Sequence, residues 1–164
     1  MTDTPTIPRR APAPAPPADV QALGRLVGTW RVWGGGAEGT VTYEWLEGGF
    51  FLLQTVDLRQ DGEPIRGVEI IGPEQSDDTE PSGELQSRYY DNVGNTFDYV
   101  YEIEGDTLTI WAGEKGSPAY YRGVFCSDGT TLTGRWAYPG GGSDDMTAVR
   151  TPDRTLARAA GPVD

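Results

Sequence analysis

The chain has no histidine and one cysteine, and its 13 Lys and Arg are outnumbered by 25 Asp and Glu. Each shortage removes a class of function. Without histidine, neither Ser-His-Asp nor Cys-His nucleophilic machinery can be assembled, and His-ligated haem and the usual zinc sites are excluded. Acid–base chemistry must then fall to Asp, Glu, Tyr or Lys. Cys126, with no partner for an intramolecular disulfide, fits a reducing cytosol, and its place at a strand end beside a turn reads as a small buried filler. A formal net charge of −12 makes nucleic acid a poor partner, since a phosphate backbone is bound by clustered Lys and Arg, and disfavours an anionic membrane surface for the same reason. No apolar run is long enough to span a bilayer, and the N-terminal stretch lacks the apolar segment of a signal peptide, so the expected location is cytoplasmic.

What is present is a strand-and-turn pattern. Residues 1–18 are rich in Pro and Ala without apolar periodicity and read as a disordered tail; residues 152–164 read as a flexible C-terminal tail. Between them, residues 19–151 form one domain. Asp19 is placed to cap a short helix in which Val20, Leu23 and Val27 share a face. About ten strands follow, at 29–33, 39–46, 50–59, 64–72, 85–91, 95–104, 107–112, 119–126, 131–138 and 145–151, each separated from the next by Gly- or Asp-containing turns. With no helical pattern between them, the expected fold is all-β: a closed antiparallel up-and-down barrel with the short helix over one end.

Hairpin pairing assigns the faces, because residues opposite one another point the same way. A two-residue turn at Gly48-Gly49 sets Trp45 against Leu52, Tyr43 against Gln54 and Val41 against Val56. A four-residue turn at Gln60–Glu63 sets Leu58 against Ile65, Gln54 against Glu69 and Leu52 against Ile71. Gly105-Asp106 pairs Tyr101 with Ile110 and Tyr99 with Ala112; Ser127–Thr130 pairs Phe125 with Leu132 and Tyr121 with Trp136. At Asn92-Val93-Gly94 two registers are open. A three-residue loop puts Tyr89 and Phe97 inside and Arg88 beside Asp98 outside, whereas a two-residue loop turns Arg88 and Tyr90 inward; the first is preferred because it buries no charge. On the outer face Arg122 and Arg135 fall opposite each other and call for an acidic neighbour. The loops at 73–84, 113–118 and 139–145 are acidic or Gly-rich; they read by default as ordinary surface connections, with gating of a mouth as the alternative.

The interior so defined is not uniformly apolar. Glu69 lies opposite Gln54 with Tyr43 nearby, and an ionised carboxylate there costs several kcal/mol unless paired, so its pKa should rise. Two readings stay open: Glu69 as general acid or base or as a hydrogen-bonding partner for a ligand, or Glu69 simply satisfied by Gln54 and Tyr43. Trp45, Tyr89, Tyr99, Tyr101, Tyr121 and Trp136 either stack on a flat ligand or fill the barrel as core. Gly34-Gly35-Gly36 and Gly140-Gly141-Gly142 precede no helix and carry no G-K-[ST], so they read as hairpin turns and not as phosphate loops.

Gly28-Thr29-Trp30 after a short helix, followed by an antiparallel series, resembles the G-x-W start of the calycins, which include lipocalins, fatty-acid-binding proteins and nitrobindins. The stretches LVGTW, GTVTYEWLEGGFFLLQ, IIGPE and YRGVFCSDGTTLTGRW are similar to an uncharacterised bacterial family of lipocalin-like proteins, over roughly Leu23 to Arg150. The resemblance implies an up-and-down barrel with an apolar cavity and supplies no reaction. The nitrobindin branch implies a histidine-held haem, which this chain cannot provide. In lipocalins an Arg on the last strand stacks on the G-x-W tryptophan, which implies that Arg150 stacks on Trp30.

The leading expectation is therefore a cofactor-free barrel that binds a small apolar or aromatic molecule, with Glu69, Gln54 and the tyrosines orienting its polar end. The alternative is a cyclase or isomerase on the same scaffold, with Glu69 moving a proton and Tyr43 or Tyr101 stabilising oxyanion charge. A third is a filled barrel acting as an interaction module.

Overall fold

The computed structural model describes residues 15–74 and 83–152. A short helix, α1 (Ala18–Ala22), runs into a 3-10 turn (Leu23–Leu26) and then into ten strands. These are β1 (Gly28–Gly34), β2 (Ala37–Trp45), β3 (Leu52–Gln60), β4 (Glu63–Pro73), β5 (Leu85–Asp91), β6 (Thr96–Glu104), β7 (Thr107–Ala112), β8 (Tyr120–Phe125), β9 (Thr131–Ala137) and β10 (Ser143–Arg150). Each strand pairs antiparallel with the next, and β10 returns to β1 with Trp30 opposite Arg150, which closes the barrel and leaves no sheet edge. The expected tails lie outside the described residues except for residues 15–18 and 152, as does most of the 73–84 loop.

The hairpin registers are those the sequence predicts, including Gln54 opposite Glu69 and Tyr121 opposite Trp136. Two turns differ in length. The Gly48-Gly49 turn is a four-residue connection, residues 47–50, in which the Gly49 N–H donates to Leu46 and the Leu46 N–H to Phe51. The next is a two-residue turn: Gln60 pairs with Glu63, and Asp61 and Gly62 take φ of 51° and 90°, the conformation that suits a tight hairpin. Register survives both changes, because removing or adding one residue on each side leaves the same residues opposite. At residues 92–94 the loop has three residues, Tyr89 faces Phe97, and Arg88 meets Asp98 outside at 2.7 Å.

The helical segment plugs one end. Val20, Leu23 and Leu26 are fully buried against Leu52, Ile71, Leu85 and Phe125, while Val27 is only partly buried. Asp19 does not cap this helix: Pro17 holds the capping position, and the Asp19 carboxylate sits inside the first turn, accepting from the Val20 N–H. Arg25 pins the plug from outside, donating to the Gly105 carbonyl at 2.7 Å and to Asp106 at 3.0 Å, with its guanidinium 4.3 Å from the Phe125 ring. The Trp30 indole N–H donates to the Leu26 carbonyl at 2.7 Å. Arg150 stacks 4.3 Å from the Trp30 ring and donates to the carbonyls of Val27 and Arg25. Gly28 makes this possible twice over, because its φ is 122° and a Cβ there would lie 2.6 Å from the Arg150 guanidinium.

On the outer face Arg135 takes Asp145 as its acidic partner at 2.9 Å. Arg122, opposite it, instead lies over the Tyr120 ring and donates to Thr109. Cys126 is not a buried filler: it is half-buried in the β8–β9 turn, where its sulfur accepts from the Thr131 N–H and contacts Asp128. The outer row is less polar than alternation alone predicts, with Val68, Ile70 and Tyr90 exposed along β4 and β5. No helix among the described residues is long and apolar enough to cross a membrane.

Candidate functional site

Between the Trp30 floor and the opposite end lies a cavity of about 400 Å³. Its deep part is bounded by Leu26, Trp30, Leu108 and Leu132, and one wall by Val41, Val56, Leu58 and Ile65. The far end opens between the β1–β2, β3–β4, β5–β6 and β9–β10 turns, where Gln60, Asp91, Asn95, Phe97 and Met146 reach the cavity. Of the loops for which gating is the alternative reading, residues 113–119 and 138–142 stand at this open end; residues 143–145 belong to β10, and the 73–84 connection lies at the helix end.

Glu69, on the inner face of β4, is 3% exposed. It accepts hydrogen bonds from the Ser87 hydroxyl and, at 2.9 Å, from the Tyr101 hydroxyl, and both reach the same oxygen, Oε1. Gln54 and Tyr43 do not satisfy it. They bond to each other, the Gln54 amide donating to the Tyr43 hydroxyl oxygen at 2.8 Å. Among the described residues no hydrogen bond reaches Oε2, and Glu69 lines the cavity. Burial pushes the Glu69 pKa up to about 7 against the pull of the two hydrogen bonds, which favour the charged form. The Tyr43, Tyr99 and Tyr101 hydroxyls are raised above their ordinary value by burial first and by the Glu69 charge second. Tyr121 is raised by burial to about 12. The tyrosines therefore stay protonated at neutral pH and Glu69 titrates there.

The opposite wall is a chain of rings. Tyr89 and Phe97 are stacked with centroids 6.1 Å apart; Phe97 leads to Tyr99, Tyr99 to Trp136 at 6.1 Å, and Trp136 to Tyr121 at 5.6 Å. The tilted pairs match the geometry that aromatic quadrupoles favour. Two inward-facing glycines make room for it. A Cβ on Gly67 would lie 2.6 Å from both the Tyr89 ring and the Tyr90 carbonyl, and one on Gly123 would lie 2.4 Å from the Tyr121 hydroxyl. The Tyr89 ring occupies the space beside Gly67, and the Tyr121 hydroxyl that beside Gly123.

Of the nine residues singled out from the sequence, Tyr43, Gln54, Glu69, Tyr89, Tyr99, Tyr101, Tyr121 and Trp136 all line the cavity. Trp45 does not. It faces inward but sits at the helix end, its ring against Gly24, where it packs on the plug. Ser87 was missed. The β4–β5 register that places it opposite Ile71 crosses a long connection whose length does not fix pairing, so no turn signal pointed to it. Among the described residues no group of His, Cys, Asp and Glu is arranged to hold a metal ion. Protein-family models and curated proteins both give no match to the chain. The closed ten-strand barrel with its short helix is compatible with a calycin-like fold.

Proposed function

We propose that the barrel binds a small apolar or aromatic molecule between the β3–β4 wall and the aromatic chain, with Glu69, Gln54 and Tyr43 oriented toward its polar end. The observation that carries this reading is the cavity of about 400 Å³, closed at one end by the helical plug and open at the other. Its size falls in the range of small-molecule pockets, about 300–1,000 Å³, and its make-up follows their pattern, mostly apolar with a few convergent polar groups. A barrel serving only as an interaction module has no need to keep its centre open.

The neutral dye N-phenyl-naphthylamine, which brightens in apolar surroundings, tests this. It should bind with micromolar affinity, and Ala148→Phe, which fills the cavity from β10, should lower that affinity at least about tenfold while leaving the folded spectrum intact. No brightening, or brightening indifferent to the filling substitution, would refute the reading.

A second reading, a cofactor-free cyclase or isomerase, is favoured by one observation: Glu69, with its pKa raised to about 7, lines the cavity with one oxygen that no described residue bonds. That is where a general acid or base works best at neutral pH. Tyr101 has its proton committed to Glu69, so Tyr43, whose hydroxyl oxygen accepts from Gln54, is the better donor to a developing oxyanion. Glu69→Gln should abolish turnover of such a substrate while sparing its affinity.

A further inference from the structure

Among the described residues the Glu69 carboxyl has no cationic partner: it receives two neutral hydroxyl donors on Oε1 and none on Oε2, and no Lys or Arg of the described residues lines the cavity. Arg150 is used beneath Trp30 on two backbone carbonyls, and Arg25, Arg66, Arg88, Lys115 and Arg135 hold acidic partners outside the cavity. The second carboxylate on the cavity surface is Asp91, at the open end, where Asn95 and Val93 hold it below the ordinary carboxylate range. Asp61 and Asp144 flank the Gly35-Gly36 turn at the same end, and the chain carries a net charge of −12.

We infer, resting on the binding reading above, that the cavity selects a molecule carrying a protonated amine on an aromatic or apolar body, with the ammonium group against Glu69 Oε2. An ammonium supplies the counter-ion that a buried carboxylate needs. Tyr43, Tyr99 and Tyr101 lie close enough to feel the Glu69 charge, so the ammonium sits among electron-rich rings that attract cations. A carboxylate ligand finds only like charge and no basic partner. The acidic open end and the overall charge draw cations toward the entrance and repel anions.

The dependence on pH follows from the groups around Glu69. Those lining the cavity are Tyr43 on β2, Gln54 on β3, Tyr89 on β5, Tyr99 and Tyr101 on β6 and Tyr121 on β8, and Ser87 on β5 donates to Glu69. The tyrosines among them are all raised above their ordinary value, so Glu69 alone changes charge near neutrality. Amine binding should strengthen as Glu69 ionises, and binding of a neutral molecule should not.

Three probes that share a naphthalene body and differ at the end group test this by calorimetry: naphthylethylamine, naphthylethanol and naphthylpropionate. At about pH 8 the amine should bind at least about tenfold tighter than the alcohol, and the alcohol tighter than the acid. The advantage of the amine should shrink toward pH ~6, through protonation of Glu69. In Glu69→Gln the amine and alcohol should bind within about threefold of each other. An acid or alcohol that binds as tightly as the amine, or an amine preference that survives Glu69→Gln, overturns the inference and leaves the binding reading standing. Failure of all three probes to bind overturns both. The order of the three probes in the unaltered protein decides the matter even if the variant does not fold.

Discussion

Glu69 is a carboxyl group with no cationic neighbour among the described residues, which bears on stability as well as on binding. Its folded pKa of about 7 lies above the ordinary 4.5, so the folded protein keeps a proton that the unfolded chain releases. Stability from this group is fully present below pH ~4.5 and is lost as pH rises through about 7, by up to about 3 kcal/mol. Urea unfolding of the native chain and of Glu69→Gln across this range should show the native chain losing ground to the variant as pH rises. A constant difference between the two would mean that Glu69 ionises as freely in the fold as out of it. Gly67 is decisive in a different way. Replacing it with Ala pushes a methyl into the Tyr89 ring and the Tyr90 carbonyl, and the second of these is backbone that cannot step aside. Overpacking of this kind costs about 1–3 kcal/mol, and thermal unfolding of Gly67→Ala should register it.

At the level of elements, the helical plug and the last strand form one unit. Arg150 joins them by covering Trp30 and satisfying carbonyls of Arg25 and Val27 that no strand reaches. Arg150→Ala should cost about 2–4 kcal/mol, from the lost stacking and the two carbonyls left without donors. Arg150→Lys should recover less than half, because an ammonium cannot lie flat on the indole and reach both acceptors. Faster hydrogen exchange at residues 18–27 in Arg150→Ala, with the β3–β4 hairpin unaffected, would place the damage in the plug. The hairpins were the most legible part of the sequence. Short turns rich in Gly and Asp fix which residues oppose one another, and alternation then fixes the inner face, so Tyr43, Gln54, Glu69 and Trp136 could be placed in one interior. Turn length was less legible, because the residues 47–50 and 61–62 connections give the same pairing whether two residues are counted in the loop or four. Across the 74–84 connection no such rule operates, and the partner that crosses it, Ser87, was invisible. Depth along the barrel was also hidden: Trp45 and Tyr43 share a face, but only the packing of Gly24 shows that Trp45 belongs to the plug.

At the scale of the whole molecule, nine of the ten strand pairings join neighbours in sequence, and β1 with β10 alone joins the ends. The barrel thus grows by local hairpins and is sealed by one long-range contact, the same one that stacks Arg150 on Trp30. Around this frame the molecule is layered by charge. Among the described residues, Arg66, Arg88 and Arg135 hold ion pairs on the outer face, Glu69 lies inside, and Asp91 stands at the open end. The central claim is that the space above Trp30 is a site for a guest and not a gap in the packing. Crystals of the protein soaked in bromonaphthalene, whose bromine scatters anomalously, test this most directly. The predicted result is an ordered bromine signal enclosed by Val56, Tyr99, Trp136 and Ala148. A cavity without signal, with bromine found only on the exposed Val68 and Ile70 surface, would contradict it.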